Sequence, residues 1–236
     1  MNNYIILNGV DSRTIKGLLI QELPPISKPQ IRTNIEQIDG RDGDIVTKLG
    51  YAAYNKEFTI GLYGDFDINE IINFFDSEGQ VTFSNESDKY YNYQILNQVN
   101  FERLIRFRTA KVTMHIQPFK YSLQDTPKAF TITNQTQISI INNGNIISKP
   151  AITIFGTGTI NLYLNGIQLF VINLGDEGYI TIDAALMEAY KDTTATLKNR
   201  LVSGNYNNFI FNTGTNTISW SGTITEINIA NYTRWL

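Results

Sequence analysis

The chain is predicted to be a mostly β protein of two domains, and three observations carry that reading. Short runs of β-branched and aromatic residues recur along its 236 residues, punctuated by Gly, Asn and Asp. A single segment before the midpoint, Ile68, Ile71, Ile72 and Phe75, falls into an amphipathic helical period. A polar stretch from Ser122 to Lys128, containing Pro127, has linker composition. It divides the chain into residues 1–128, a β-rich domain with one α-helix, and residues 129–236, a β-sandwich.

In the first domain, Tyr4 to Leu7 runs into Asn8-Gly9, a hairpin signal because both residues tolerate positive φ. Leu18 to Ile20 is stopped by Pro24-Pro25, which offer no amide to a ladder. Ile31 to Ile38 alternates imperfectly, as a half-buried strand would, and leads into Asp39-Gly40-Arg41-Asp42-Gly43-Asp44. After a strand at Phe58 to Tyr63, a helix of roughly three turns is expected from Ile68 to Glu78. Asp67 is placed to cap it, Glu70 to complete a capping box and Gly79 to end it in a left-handed turn. Strands resume at Gln80 to Phe83 and Tyr90 to Ile95. A clean alternation then sets Val112, Met114 and Ile116 on one face from Lys111 to Gln117, and Pro118 ends it.

The second half is poorer in charge and richer in turns. Strands are expected at Phe130–Thr133, Ile138–Ile141, Ala151–Phe155, Ile160–Leu164, Leu169–Asn173, Tyr179–Ile182, Phe209–Phe211, Thr217–Trp220 and Glu226–Ile229. Hairpin-type turns are expected at 142–145 and at Asn165-Gly166, and a further turn at Gly156-Thr157-Gly158. Asp183 to Tyr190 has helical propensity, in conflict with its all-β surroundings.

Composition excludes several classes of function. The formal net charge of −3 leaves no basic field to gather phosphates, so nucleic-acid binding by charge is not expected. Charged residues are 17% of the chain, below the usual ~25%, and neutral polar residues take their place. That surplus fits equally a surface covered by neighbours and a codon bias towards Asn, Ile, Lys and Tyr. The opening Met1-Asn2-Asn3-Tyr4-Ile5 lacks the basic and apolar regions of a signal peptide, and no apolar run approaches the ~20 residues of a membrane span. The chain is therefore expected to be made in a cytoplasm, without membrane insertion.

The search for chemistry returns no catalytic, cofactor-binding or metal site. The chain has no cysteine and one histidine, His115, on the polar face of a strand and without a nucleophile-elbow motif nearby. The loop Asp39 to Asp44 fails the calcium-loop pattern, since Arg41 and Gly43 stand where oxygen ligands are required. It reads as a tight loop with glycines at positive φ, a rigid piece suited to shaping a subunit contact. Asp176-Glu177, between Gly175 and Gly178, reads as a turn rather than a glycosidase pair. Trp220 is assigned to a core rather than to a sugar site.

The order of these plain features resembles a known family. Ile38-Asp39-Gly40-Arg41-Asp42-Gly43-Asp44, the capped helix, Gly79-Gln80-Val81-Thr82-Phe83, Asp88-Lys89-Tyr90-Tyr91 and Pro118-Phe119-Lys120-Tyr121 succeed one another. That succession is similar to the N-terminal domain of the distal tail (Dit) proteins of long-tailed phages of Gram-positive bacteria. Ser148-Lys149-Pro150, Asn165-Gly166, Ile180-Thr181-Ile182-Asp183, Met187-Glu188-Ala189-Tyr190 and Gly214 to Trp220 resemble the same family's galectin-like C-terminal domain. The resemblance implies a ring-forming first domain and a galectin-like second one. It also implies a structural, non-enzymatic role: a homohexameric ring at the end of the tail tube, in the virion. The partners it implies are the tail tube protein and the tail-tip and receptor-binding baseplate proteins, with DNA merely passing through the channel. It makes Asp183 to Tyr190 a turn into a strand rather than a helix. On the sequence alone, a carbohydrate-binding module and the hub of a phage-tail-like bacteriocin stay open as alternatives.

Overall fold

A computed structural model describes residues 3–96, 99–230 and 232–236; Met1 and Asn2 of the leader reading lie outside them. The chain divides into two compact units, the first running through Lys120 and taking in Leu236, the second from Tyr121 to Trp235.

In the first unit the strands are β1 (Ile5–Leu7), β2 (Val10–Asp11), β3 (Leu18–Glu22), β4 (Ile31–Gln37), β5 (Asp44–Tyr51), β6 (Tyr54–Leu62), β7 (Glu78–Phe83), β8 (Lys89–Gln94) and β9 (Thr109–Ser122). The main sheet has the order β2-β1-β7-β8-β9-β6-β3, while β4 and β5 form a two-stranded ladder of their own. Alternation sends Phe58, Ile60 and Leu62 of β6, Val81 and Phe83, Tyr91 and Tyr93, and Val112, Met114 and Ile116 into one core. Asn8-Gly9 makes the expected β1–β2 turn, at φ 49° and 84°.

The helix α1 (Ile68–Phe75) forms where its cap predicts, the Asp67 side chain accepting the Asn69 amide at 2.9 Å. It is shorter than expected, and its buried face is turned by one residue. Ile71, Phe74 and Phe75 enter the core while Ile72 is 36% exposed. Phe75 meets Phe58 at 6.3 Å between ring centroids, and Phe58 meets Phe83 edge-on at 6.2 Å. Gly79 is not the helix cap. It lies within β7 at φ 137°, and a Cβ there would come within 2.1 Å of the Asn8 carboxamide oxygen. The Asn8 side chain bridges the Glu78 carbonyl and the Gln80 amide across this glycine. Close approach, not helix termination, requires glycine.

Three further expectations are corrected. A second helix, α2 (Phe101–Phe107), joins the one expected; Asn100 caps it, accepting from the Arg103 amide at 2.8 Å, and Leu104 anchors it in the core. Pro118 does not end β9: the ladder with β6 stops at Ile116, so a missing amide two residues on costs that ladder nothing. Ile31 to Gln37 is a strand, but an exposed one, and its partner β5 was not foreseen.

The second unit holds β10 (Lys128–Thr131), β11 (Gln137–Asn142), β12 (Ala151–Leu164), β13 (Ile167–Gly175), β14 (Tyr179–Asp183), β15 (Glu188–Lys191), β16 (Thr193–Leu197), β17 (Val202–Gly204) and β18 (Gly214–Ala230), then the short β19 (Arg234–Trp235). Its sheet runs β10-β18-β12-β14-β15-β16, with β11 on β18 and β13 on β12. Gly156 to Gly158 is no turn but the middle of β12. A Cβ at Gly156 would lie 2.1 Å from the Thr223 carbonyl, and one at Gly222 2.4 Å from that of Thr159. The two backbones close together there with register shifts, which bends both long strands round one core. What reads as four strands in the sequence is therefore two.

Asn165-Gly166 forms the β12–β13 hairpin, at φ 51° and 82°. The Asn142 segment is not a hairpin: β11 pairs with β18, and the Asn142 amide group donates to the Ile146 carbonyl. Phe209 and Phe211 are buried as alternation suggests, yet their backbone makes a single bridge, Phe211 with Ser148. Asp183 accepts the amides of Ala185 and Leu186, and this side-chain turn replaces the helix that propensity favours.

Candidate interaction surface of the first unit

The loop Asp39 to Asp44 caps the β4–β5 hairpin. Pairing runs from Ile31 opposite Tyr51 to Gln37 opposite Asp44, with one register shift near Arg32 and Gly50. At the tip the Arg41 amide donates to the Ile38 carbonyl at 3.1 Å, and Gly40 and Gly43 sit at φ 81° and 78°. Nothing lies within 4 Å of a Cβ built at either glycine, so conformation alone selects glycine there. Ile35 and Val46 face each other across the ladder and are 57% and 56% exposed. Glu36, Asp39, Asp42 and Asp44 flank Arg41 in the sequence of the tip, and among the described residues none of them is in an ion pair. The tip is thus an acidic, solvent-facing end on an apolar stem.

A second exposed surface lies on α2. Leu104 points inward, while Ile105, Arg103, Arg106 and Phe107 face solvent. Arg103 and Arg106 lie 5.8 and 5.5 Å from the Phe107 ring centroid. Arg103 also borders a shallow cleft of about 330 Å³ with Asn100, Thr59, Thr109, Ala110 and Lys111. Lys111 is held by Glu57 at 2.6 Å.

Beneath the surface is an ionic cluster that the sequence reading missed. Lys120 Nζ lies 2.8 Å from Glu86 Oε1, Tyr91 donates its hydroxyl to Glu86 Oε2, and all three side chains are largely buried. Lys56 is buried too; it donates to the Pro25 carbonyl at 2.7 Å and stands 5.1 Å from the Tyr91 ring centroid. Burial pushes the Lys56 ammonium down to about 8, against the attraction of Glu86 and helped by repulsion from Lys120. Burial, and then the Glu86 carboxylate, hold the Tyr91 hydroxyl protonated well above its ordinary range. A signal existed: Lys56 shares the parity of Phe58 and Ile60, and Lys120 that of Met114 and Ile116. The cluster ties the Pro24-Pro25 segment to the sheet, with Asn85 donating to the Pro24 carbonyl at 3.1 Å.

The other singled-out residues are scattered. His115 stands opposite Asn55 in the β6–β9 ladder, its Nδ1 3.1 Å from the Asn55 carboxamide oxygen. Glu177 binds Lys198 at 2.6 Å and Lys191 at 3.5 Å, which together lower its pKa. Trp220 is buried in the second core and Trp235 is half-buried. Among the described residues no three acidic or imidazole groups are grouped as metal ligands would be, and no helix is long and apolar enough to cross a membrane.

No family model matches the chain, and no curated protein does. Solved structures do. The Dit protein (gp 19.1) of phage SPP1, described as a paradigm of the hub adsorption apparatus in phages infecting Gram-positive bacteria, aligns with a TM-score of 0.62 over 100% of both chains, at 16% identity. A chain of the phage p2 baseplate, activated with calcium, aligns at 0.48 over 100% of this chain and 99% of its own, at 13% identity. Its strontium-activated counterpart gives 0.49 over 96% and 97%, at 15%. The chain thus has the fold of the SPP1 protein across its whole length.

Proposed function

We propose that this chain is the structural hub of a phage tail: a ring, six-fold by resemblance, joining the end of the tail tube to the tail tip and its receptor-binding proteins. The observation that carries the reading is the end-to-end match with the SPP1 hub protein, which takes in both units. A fold shared over one unit would speak for a common module; one shared over two units in the same order speaks for a common part. On this reading the protein is a virion component without enzymatic activity or cofactor, residues 1–128 close the ring and residues 129–236 carry the baseplate partners. The loop Asp39, Gly40, Arg41, Asp42, Gly43 and Asp44 takes part in a subunit contact. Its support is physical: a rigid, exposed tip on an apolar stem is a surface made to be covered.

The test is negative-stain imaging and light scattering of the purified chain, alone and with its tail tube protein. Closed rings are expected, and shortening the 39–44 loop is expected to reduce them. Monomers in both preparations, at high concentration, would overturn the reading. His115→Gln is expected to leave rings and infectivity unchanged, because the partner His115 meets across its ladder is the neutral Asn55; rings without infectivity would restore a chemical role to it.

A further inference from the structure

Building on the ring reading, we infer that the acidic tip of the β4–β5 hairpin in one copy seats on the basic, apolar face of α2 in the next. The two surfaces are complementary in both respects that govern an interface. From Glu36 to Asp44 the hairpin carries Glu36, Asp39, Asp42 and Asp44 against Arg41, a net of −3. From Phe101 to Arg108 the helix and its exit carry Arg103, Arg106 and Arg108 against Glu102, a net of +2, while Lys111 beyond them is held by Glu57. Each charged rim borders exposed apolar side chains, Ile35 and Val46 on the hairpin, Ile105 and Phe107 on the helix, the last 61% exposed. Apolar centres ringed by opposite charge give affinity from burial, and partner choice and register from the charges.

Within one chain the two surfaces do not satisfy each other. Among the described residues no ion pair joins hairpin to helix, Arg103 and Arg106 are in no ion pair, and β4 and β5 pair with each other alone. An isolated two-stranded hairpin is marginal in water, which favours a second surface to rest on. The symmetry also fits. A contact between two different patches of one chain can repeat head-to-tail, and such a contact closes a ring when its rotation allows.

The experiment is a charge swap in the full chain, read by light scattering and negative stain at low and moderate salt. Arg103→Glu with Arg106→Glu, and separately Asp42→Lys with Asp44→Lys, are each expected to raise the concentration needed for assembly by about tenfold or more. The four changes together are expected to restore rings, since the repulsion in each half-swap becomes attraction again. The four side chains are exposed, so the substitutions leave both cores untouched; circular dichroism and thermal melts check that each variant folds. If wild type forms rings and both half-swaps form them equally well, or if the four-fold variant stays monomeric, the contact is overturned while the ring reading stands. If only one of the two half-swaps impairs assembly, the hairpin and α2 do not meet and the contact is likewise overturned. A wild-type chain that never assembles, alone or with its tube protein, overturns both.

Discussion

Val112, Met114 and Ile116 of β9 alternate with polar residues and are wholly buried, whereas Ile35 and Val46, directly opposite each other across β4–β5, are more than half exposed. Both sets place apolar side chains together on one face of a sheet. They differ in what lies over that face. α1 brings Phe74 and Phe75 onto the main sheet and α2 brings Leu104, while Ile35 and Val46 stay in solvent. Alternation therefore announces a face to be covered without saying whether the cover is the same chain. On the proposed hub reading, that distinction separates folding from function.

Damage to the buried side has the largest expected effect. Glu86→Gln removes the carboxylate from Lys56 and Lys120 and leaves both ammonium groups buried without a counter-charge. A loss of about 3–5 kcal/mol is expected in urea melts at pH 7. Ile71→Ala, which empties a fully buried site under α1, is expected to cost about 2–5 kcal/mol by the same measurement. Ile72→Ala, one residue along on the exposed flank, is expected to cost much less.

Lys56 makes the stability depend on pH. In the fold it releases its proton near pH 8, in the unfolded chain near its ordinary 10.5. Between those values the unfolded state holds more protons, so stability should rise as pH is raised from 8 towards 10. The rise is on the order of 2 kcal/mol, and Lys56→Met should abolish it. Above pH 10 the buried, protonated Tyr91 works in the opposite direction, which limits the usable window. A flat profile for the wild type would show the Lys56 site to be wet. At the small end, Ile35→Ser should change unfolding by less than about 0.5 kcal/mol, since the side chain already faces water. Its effect is expected on assembly instead; a large loss of stability would show that the hairpin packs on its own chain.

Much was legible where chemistry is local. The Asp67 cap, the Asn8-Gly9 and Asn165-Gly166 hairpins and the inward faces of β6, β7 and β9 follow from side-chain period and positive-φ preference, which operate over a few residues. The loop Asp39 to Asp44 was legible as a turn with glycines at positive φ for the same reason. Errors fell where glycine or proline has two meanings. Gly79 and Gly156 read as punctuation and are points of close approach to Asn8 and Thr223, residues about 70 positions away in the chain, a distance no local rule spans. α2 was missed because its seven residues bury one side chain, Leu104, and so leave no apolar stripe to detect.

By itself, then, the sequence determined the β class, the helix start, the turns and the absence of thiol or multi-histidine chemistry, because each depends on residue type and near neighbours. Tertiary structure alone decided which alternating faces became core and which stayed in water. It alone drew Lys56, Glu86 and Lys120 from three elements into one buried cluster, and merged four apparent strands into β12 and β18. Burial and close approach belong to pairs of distant segments, and only the folded chain says which segments meet.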